Sequence, residues 1–424
     1  MADRLKPNNL LAFMALLLLA LAAWWHVPMM LWDHLDLVPL LQAADTGALS
    51  AGQLLQPHGG HSHVSAYLAL LGTTLISGGW PLADVLVSWL LLVAFAALLY
   101  HCVRAVSPAP DRYRLQGLTA LMALSTLHLP NLVWGWQVAV FICLLGVATG
   151  IAAITLDCSR PARLVLGAAA LLLAVSSFAT GMALYPAMIV GLLLQTRIAG
   201  PEKLELAVLW GLWFLILLFW MDYLPPDTAV PTAAGGLAEL VLYTLNYLGA
   251  GAIRFAGVLA PVITLIGLGL LALALQRLRP TAPSLVTLWA ALAAFALGAA
   301  LLTAIGRAPH FGSDHAFVLR YGSFATLFWM AVLGAAWSAR LHRQGQQPIR
   351  YATSALAVCV ALNALHFIPQ SRDFHAQGKA LHNRVIEAWP QVPDETLREI
   401  YFEDPDEARA RLQYLHDRGF PPFD

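Results

Sequence analysis

Charged residues are scarce in this chain. Lys, Arg, Asp and Glu together make up 11% of its 424 residues, whereas hydrophobic residues make up 59%. Soluble globular domains carry about 25% charged residues, so this scarcity excludes an ordinary soluble domain and indicates an integral membrane protein. The net charge is zero and no basic patch interrupts the apolar sequence, so no nucleic-acid partner is expected.

Cysteine is also rare, and known catalytic motifs are missing. The four cysteines are Cys102, Cys143, Cys158 and Cys359. They fall within predicted membrane spans or at span ends, without metal-ligand spacing, so we expect small packing residues and no structural disulfide. The sequence shows no Walker motif, Rossmann glycine pattern, kinase signature or nucleophile elbow, and therefore gives no indication of those enzyme classes.

Long apolar runs are abundant, and they lack the period-2 alternation of membrane β-strands. Runs of about 20 apolar residues are long enough to cross about 30 Å of hydrocarbon as helices. We therefore predict an all-α, polytopic membrane protein with about eleven transmembrane helices, the first of them uncleaved. The predicted spans are 10–31, 81–103, 116–131, 136–156, 164–178, 181–196, 206–223, 253–275, 284–305, 316–338 and 351–368.

Positive charge is distributed unevenly between the predicted loops. With the N-terminus in the cytoplasm, every inside loop carries Lys or Arg, whereas the short outside loops carry only Arg254, Arg307 and Arg320. The positive-inside rule then predicts a cytoplasmic N-terminus and an extracytoplasmic (periplasmic) C-terminus. We expect a multi-pass protein of the inner (cytoplasmic) membrane.

The composition changes after the last predicted span. We divide the chain into a transmembrane domain over residues 1–369 and a small extracytoplasmic helical tail over residues 370–424. The tail is charged and has helical periodicity around Glu395–His416. It is too short to hold a large core of its own, and we assign it no catalytic role.

The first outer loop, about residues 32–80, holds two carboxylates near the end of the first span, Asp33 and Asp36. Their three-residue spacing places both on one face if the helix continues past Trp32. Carboxylates at this level suit a general base or a metal ligand for a substrate at the membrane surface, so we predict that both are catalytic. Alternatively, they simply mark the point where a helix leaves the bilayer.

Three histidines follow in the same loop, His58, His61 and His63. Imidazoles at short spacing can converge on a substrate, and we predict a substrate-binding role for them. A divalent metal ion held by His61 and His63 with Asp33 is a second possibility. A solvated loop without a site is the third.

The three outside arginines suit an anionic ligand. Arg320 and the adjacent Tyr321 begin an apolar run, where an unpaired charge is costly. The planar guanidinium matches a phosphate or diphosphate, so we predict that Arg254, Arg307, Arg320 and Tyr321 bind substrate. The alternatives are contacts with lipid headgroups, or an internal ion pair with Asp314 or Glu239.

The order of these elements resembles that of the GT-C integral-membrane glycosyltransferases, the group of protein O-mannosyltransferases and the lipid A aminoarabinose transferase. The resemblance lies in the acidic end of the first span and the loop that follows. It continues through HSHVSAYLALLGTTLISGGWPLADVLVSWLLL, NLVWGWQVAVFICLLGVATGIAAI and LVLGAAALLLAVSSFATGMALYPAMIVGLLL. This chain departs from the family pattern in its Asp33-x-x-Asp36 spacing and in having His58-Gly-Gly-His61 instead of a proline-rich segment.

The resemblance implies membrane-surface helices in the first outer loop, a polyprenyl-phosphate-linked sugar as donor, and an extracytoplasmic glycan, lipid or protein as acceptor. It assigns catalysis to Asp33, with Asp36 as its helper, in an inverting transfer that serves cell-envelope polysaccharide biosynthesis. Arg320, with Arg307 or Arg254, would stabilise the leaving lipid phosphate.

Two other functions fit the composition. A secondary transporter or flippase would use polar groups near the bilayer midplane, and Gly249-Ala-Gly251 beside Asn246 is the feature that most favours it. A polysaccharide polymerase or ligase would also use lipid-linked sugars. It would have its large functional loop late in the chain, whereas here the large loop comes first.

Overall fold

The computed structural model describes residues 7–59, 62–221, 223, 236–341, 347–402 and 404–423. Within these ranges the regular secondary structure is helical, and no β-strand is present. The first nine α-helices are α1 (Pro7–Trp24), α2 (Val38–Asp45), α3 (Ala51–Leu55), α4 (Val64–Ser77), α5 (Pro81–Val106), α6 (Ala109–Ala123), α7 (Leu129–Leu132), α8 (Val138–Thr155) and α9 (Arg160–Val175). The other nine are α10 (Leu184–Leu194), α11 (Gly200–Trp220), α12 (Gly236–Ile253), α13 (Ala260–Leu278), α14 (Pro283–Phe311), α15 (Gly322–Leu341), α16 (Gln347–Ala388), α17 (Asp394–Ile400) and α18 (Pro405–Asp417).

Several helical stretches are long and apolar enough to cross a membrane. In the part of the chain that the structure describes there are eight: Pro7–Trp24, Pro81–Val106, Gly135–Thr155, Gly200–Trp220, Gly236–Leu278, Pro283–Phe311, Leu319–Ala339 and Arg350–Ala388. This confirms the prediction of a polytopic, all-helical membrane protein.

The number of eleven spans stays a prediction, because three of the predicted spans correspond to short helices. Helices α6, α9 and α10 have 15, 16 and 11 residues. A helix of about 20 residues is needed to cross the hydrocarbon without tilt or local thinning. The predicted first span also ends early, since α1 stops at Trp24, four residues before Pro28.

Helix α12 was not predicted, because no span was placed between residues 223 and 253. The glycines at 249 and 251 lie inside this helix, and they are packing positions rather than a break. A Cβ on Gly249 would lie 2.5 Å from the Ala260 carbonyl oxygen, and one on Gly251 would lie 2.9 Å from Ala325 Cβ. Small residues here let α12 pack antiparallel to α13 and close to α15.

Burial differs sharply between the helices. In the most apolar part of the stretch Gly135–Thr155, which contains α8, 94% of the residues are buried. The corresponding share is 17% for α11 and 22% for α1. A helix that is apolar all round belongs in the centre of a bundle, whereas apolar helices with open faces suit contact with lipid. Helix α8 is therefore central and packs against α5 and α9; the stretch Leu319–Ala339, which contains most of α15, is equally buried.

Helices α9 and α11 are in contact where the Trp210 indole packs on Gly167. Trp210 donates a hydrogen bond from Nε1 to the Leu164 carbonyl at 3.1 Å, and a Cβ on Gly167 would lie 2.1 Å from Trp210 Cε2. We expect Gly167→Val to separate these helices and to destabilise the protein by roughly 1–3 kcal/mol or more. Thermal unfolding in detergent measures this as a lower Tm.

Gly72→Ala is the matched control for that substitution, because no neighbouring atom lies within 4 Å of a Cβ at Gly72. Alanine favours a helix over glycine, so the Tm should stay level or rise slightly. An unchanged Tm for Gly167→Val would contradict the close packing of α9 on α11.

The C-terminal helices pack on the first loop. Helix α16 has 42 residues and runs from a membrane-length stretch into the tail, so the predicted boundary at residue 369 falls inside it. Helices α17 and α18 then fold back. Their buried residues Leu397, Leu412 and Leu415 belong to the same apolar cluster as Leu35 and Leu41. This packing brings the tail to the end of the bundle where the first loop lies.

Candidate active site

A cavity of about 1110 Å³ lies at the end of the bundle where the C-terminal tail packs on the first loop. It is enclosed by the first loop, the starts of α4 and α8, the last turns of α14 and the tail helix α18. Its charged and histidine lining residues are Asp33, Asp36, His58, His63, Arg307, His310, Arg320, Glu407 and Arg411. Because opposite charges share one space, the cavity can hold a ligand with both hydroxyl and anionic groups.

The fold brings most of the predicted site residues into this cavity. Asp33, Asp36, His58, His63, Arg307, Arg320 and Tyr321 all line it. Arg254 does not line it, and His61 lies outside the described residues. The lining residues are separated by up to several hundred positions in sequence, so their grouping follows from the fold rather than from any local motif.

The two carboxylates are presented by a 3₁₀ turn over Trp32–Leu37. Residues three apart are eclipsed in a 3₁₀ helix, so Asp33 and Asp36 share a face. Trp32 opens this turn with a φ of 54°, a left-handed conformation that costs a non-glycine residue energy. Its indole stacks between Phe374 and Phe402, with ring centroids 5.4 and 5.7 Å away. These contacts hold the turn in place.

His58 lies between the two carboxylates. Its Nε2 is 3.7 Å from Asp33 Oδ2, and its Nδ1 is 3.4 Å from Asp36 Oδ2. The imidazole also meets the Trp136 ring edge-on at 5.0 Å, and the buried His63 stacks on Trp136 at 5.3 Å. The aromatic packing fixes the position of His58, which therefore connects Asp33 to Asp36.

The tail supplies a second set of partners to Asp36. Arg411 Nη1 donates to Asp36 Oδ1, and the Tyr401 hydroxyl donates to the same oxygen at 2.9 Å. The Arg411 guanidinium also bonds Glu407 and lies over the Tyr401 ring at 4.2 Å. Asp36 is thus held on both sides, by the first loop and by the tail.

Asp33 is the more accessible of the two carboxylates, since its side chain is 39% exposed and that of Asp36 is 22% exposed. Partial burial acts to raise the pKa of Asp33. The hydrogen bond and charge of His58 and the nearby Arg320 guanidinium outweigh this effect and hold the pKa below its ordinary value. Asp33 is therefore ionised at neutral pH and faces the cavity as a proton acceptor.

Arg307 and Arg320 line the cavity from α14 and from the 3₁₀ turn Leu319–Tyr321. No described carboxylate lies within ion-pair distance of either guanidinium. The alternative of an internal pair between Arg320 and Asp314 or Glu239 is therefore not seen in the structure. Two guanidiniums without ion-paired carboxylates make this part of the cavity suitable for an anion.

The charges of Arg307 and Arg320 act on His315. This residue lies in the 3₁₀ turn Ser313–Phe317, between α14 and the turn that carries Arg320. Burial lowers the pKa of His315 to about 4, and the charges of Arg320 and Arg307 contribute to the same shift. His315 Nδ1 is 3.0 Å from the Tyr243 hydroxyl. Burial is the larger cause of the neutral state, and both guanidinium charges act on this one imidazole in addition.

Arg307→Gln should therefore raise the pKa of His315 from about 4 towards its ordinary 6.5. The rise is partial, because burial and Arg320 remain. The lowered pKa makes a contribution to stability that is complete above about pH 6.5 and is lost as the pH falls towards 4, so the variant should lose less stability over that interval. Nitrogen NMR of labelled histidine measures the pKa, with His315→Asn to assign the signal. An unmoved pKa would place the Arg307 charge elsewhere.

Arg254 has its own set of partners away from this cavity. Its Nε donates to the Phe317 carbonyl at 2.8 Å and its Nη1 donates to Gln370 Oε1 at 2.7 Å. Its backbone N–H donates to Asn363 Oδ1 at 2.8 Å. These bonds join the turn after α12 to α16, which is a structural role.

A buried polar pair lies behind the carboxylate turn. His34 is 2% exposed, and its Nε2 is 3.7 Å from Oδ2 of Asp84, which is 3% exposed and accepts a hydrogen bond from Thr73. Burial lowers the pKa of His34 to about 4, against the opposing charge of Asp33. The sequence analysis missed this pair, although an acidic residue in the first turn of a long apolar helix is a recognisable signal.

Arg411 was missed as well, and its signal is visible in the tail. Helix α18 buries Ala408, Arg411, Leu412 and Leu415, which follow the spacing of one helical face. An arginine on the apolar face of an amphipathic helix needs a buried partner. The sequence does not show that this partner is Asp36, because the two residues are 375 positions apart.

A metal site is not apparent in the described ranges. No group of three or more His, Cys, Asp or Glu side chains there is arranged to hold a metal ion. His61, one of the proposed ligands, lies outside those ranges. The divalent metal ion therefore stays a prediction.

Comparison with protein-family models, with curated proteins and with solved structures finds no match to this chain.

Proposed function

We propose that this protein is a membrane glycosyltransferase that moves a sugar from a polyprenyl-phosphate donor to an extracytoplasmic acceptor. The observation that supports this is the shared cavity, which is lined by the ionised, accessible Asp33 and by the Arg307 and Arg320 guanidiniums. A base and a phosphate-binding pair are the two groups that such a transfer needs. The cavity lies at one end of an apolar bundle, where a lipid-linked substrate can present its phosphate.

In the proposed reaction, the acceptor hydroxyl oxygen attacks C1 of the donor sugar and gives up its proton to the Asp33 carboxylate. The bond between C1 and the phosphate oxygen breaks, and its electron pair leaves on the polyprenyl phosphate. Arg307 and Arg320 stabilise the negative charge that develops on this leaving group. The configuration at C1 is inverted, because attack and departure occur on opposite faces of the sugar.

The geometry of the cavity favours transfer over transport. Its lining residues come from helix ends and loops, and the deepest of them on α14 is Leu302, nine residues from the end of that helix. A transporter places its ionisable groups near the middle of its helices. We accordingly assign the cavity to the extracytoplasmic side, in agreement with the charge asymmetry of the loops.

The test is a reconstitution of the purified full chain in lipid nanodiscs. The protein is incubated with synthetic polyprenyl-phosphate sugars and with a hydroxyl acceptor extracted from the cell envelope. The proposal expects release of free polyprenyl phosphate, measured by mass spectrometry, together with a glycosylated acceptor. If no donor binds or releases lipid phosphate, whereas vesicles with the protein move a lipid-linked sugar across the bilayer, the protein is a flippase instead.

A further inference from the structure

The tail and the candidate base are connected by a row of contacting polar side chains. Starting at Asp33, the row continues through His58, at 3.7 Å, to Asp36, at 3.4 Å from His58. Asp36 then accepts from Arg411 of α18, which in turn bonds Glu407. Each member contacts the next, so a displacement at the tail end is transmitted towards Asp33.

The tail end of this row is fixed in place. Arg411 is 7% exposed, and its guanidinium lies over the Tyr401 ring. A second pair of contacts on the same helix ties α18 to α2, since Tyr414 donates to Asp45 Oδ2 at 2.6 Å and Arg418 lies 3.2 Å from Asp45 Oδ1. The tail is therefore tied to the first loop and forms one wall of the cavity.

The buried guanidinium of Arg411 requires Asp36 as its ion-pair partner. Removing one partner of a buried ion pair leaves an uncompensated charge, which is strongly destabilising. Asp36 also accepts the Tyr401 hydroxyl on the oxygen that binds Arg411, and it faces His58 with its other oxygen. Both oxygens are thus engaged within the protein, whereas the side chain of Asp33 is the more exposed one.

We infer that Arg411 is a positioning residue of the transferase site, which acts through Asp36 and His58 to orient the Asp33 carboxylate. This inference rests on the proposed function, because it is Asp33 that takes the acceptor proton. Asp36 is then a structural link between tail and loop rather than a second base. The site is complete only when α18 is docked on the first loop.

The first experiment measures the mechanical link without any substrate. Hydrogen exchange of the full chain in nanodiscs is compared for wild type, Arg411→Gln and Arg409→Gln. Arg409 is the matched control, because it lies on the same helix but pairs with Asp394 inside the tail. Arg411→Gln should speed exchange in residues 33–45 as well as in α18, whereas Arg409→Gln should leave residues 33–45 protected. Equal protection of residues 33–45 in all three proteins would overturn the inference.

The second experiment measures turnover of the polyprenyl-phosphate donor and acceptor by the same variants. A displaced base costs roughly 100-fold in kcat, whereas the KM for the donor should change little, because Arg307 and Arg320 are untouched. Arg411→Lys keeps a positive charge beside the Asp36 carboxylate, so its kcat should be higher than that of Arg411→Gln. In an Asp33→Asn background, Arg411→Gln should slow turnover no further, because the base that it orients is already absent.

The two experiments separate the inference from the function on which it rests. Faster exchange in residues 33–45 without turnover in the wild-type protein would show that the link exists and that the proposed function is wrong. Wild-type turnover with an unchanged kcat in Arg411→Gln would show the reverse, namely a transferase whose base does not depend on the tail. A fall in kcat that is equally large in the Asp33→Asn background would reduce Arg411 to a purely structural residue.

Discussion

Asp33→Asn should lower kcat for sugar transfer by about 10²- to 10⁴-fold, which is the range that a positioned general base contributes. Asparagine keeps the shape of the side chain but has no oxygen that accepts the proton of the acceptor hydroxyl as a carboxylate does. Arg307 and Arg320, which we propose bind the phosphate, remain in place, so the affinity for the donor should be nearly unchanged. Initial rates and donor binding, measured on the same purified protein, separate these two effects.

The fall of the transfer rate at acid pH should reflect protonation of the Asp33 carboxylate. Burial raises the pKa of Asp33, but His58 and Arg320 lower it by more, so the net shift is downward. The midpoint of the acid limb of the rate profile should therefore lie below the ordinary carboxyl pKa of 3.8. Asp373→Asn is a suitable control, because Asp373 is 59% exposed and pairs with its neighbour Arg372. Wild-type rates in Asp33→Asn would remove Asp33 from the mechanism.

Replacing Arg307 and Arg320 together with glutamine is the second large effect we expect. A hydrogen bond to a charged group contributes about 1.5–3 kcal/mol, so the loss of two such donors should weaken donor binding by roughly 100-fold or more. Binding of polyprenyl phosphate without its sugar, measured by native mass spectrometry in nanodiscs, tests this directly. Each single variant should fall between the wild type and the double variant.

The matched control for the arginine pair is Arg372→Gln, since Arg372 is 63% exposed and lies outside the cavity lining. It removes one positive charge, as each single variant of the pair does, and should bind the lipid phosphate as well as wild type does. Binding of an uncharged polyprenol should not respond to the double substitution. If polyprenol and polyprenyl phosphate lose affinity equally, the arginines support the shape of the cavity and do not bind an anion.

Local patterns in the sequence predicted the helical membrane fold and much of the cavity lining. The scarcity of charge makes each ionisable group informative, so that Asp33, His58 and Arg320 stand out against apolar runs. What they share is position, at or near the ends of long helices on one predicted side. The charge asymmetry of the loops, summed over the chain, predicts that this side is extracytoplasmic.

The parts that sequence did not predict depend on contacts between distant residues. Arg254 has the same local signal as Arg320, yet Phe317 and Gln370 occupy its guanidinium outside the cavity. Arg411 has the helical spacing of a packing residue, and only the fold brings it to Asp36. Helix α12 was overlooked because glycine weakens helices in isolation, whereas close packing against α13 and α15 favours it.

The docking of α18 on the first loop also has a consequence for biogenesis. The carboxylates belong to residues 33–36 and the wall that holds them belongs to residues 401–411, so the contact joins segments that are synthesised far apart in time. Pairing over such a separation has to wait for the intervening helices to be inserted and packed. A nascent chain that has reached residue 400 carries the carboxylates but not the arginine beside them. The cavity is therefore completed only after α18 has been synthesised and has docked on the first loop.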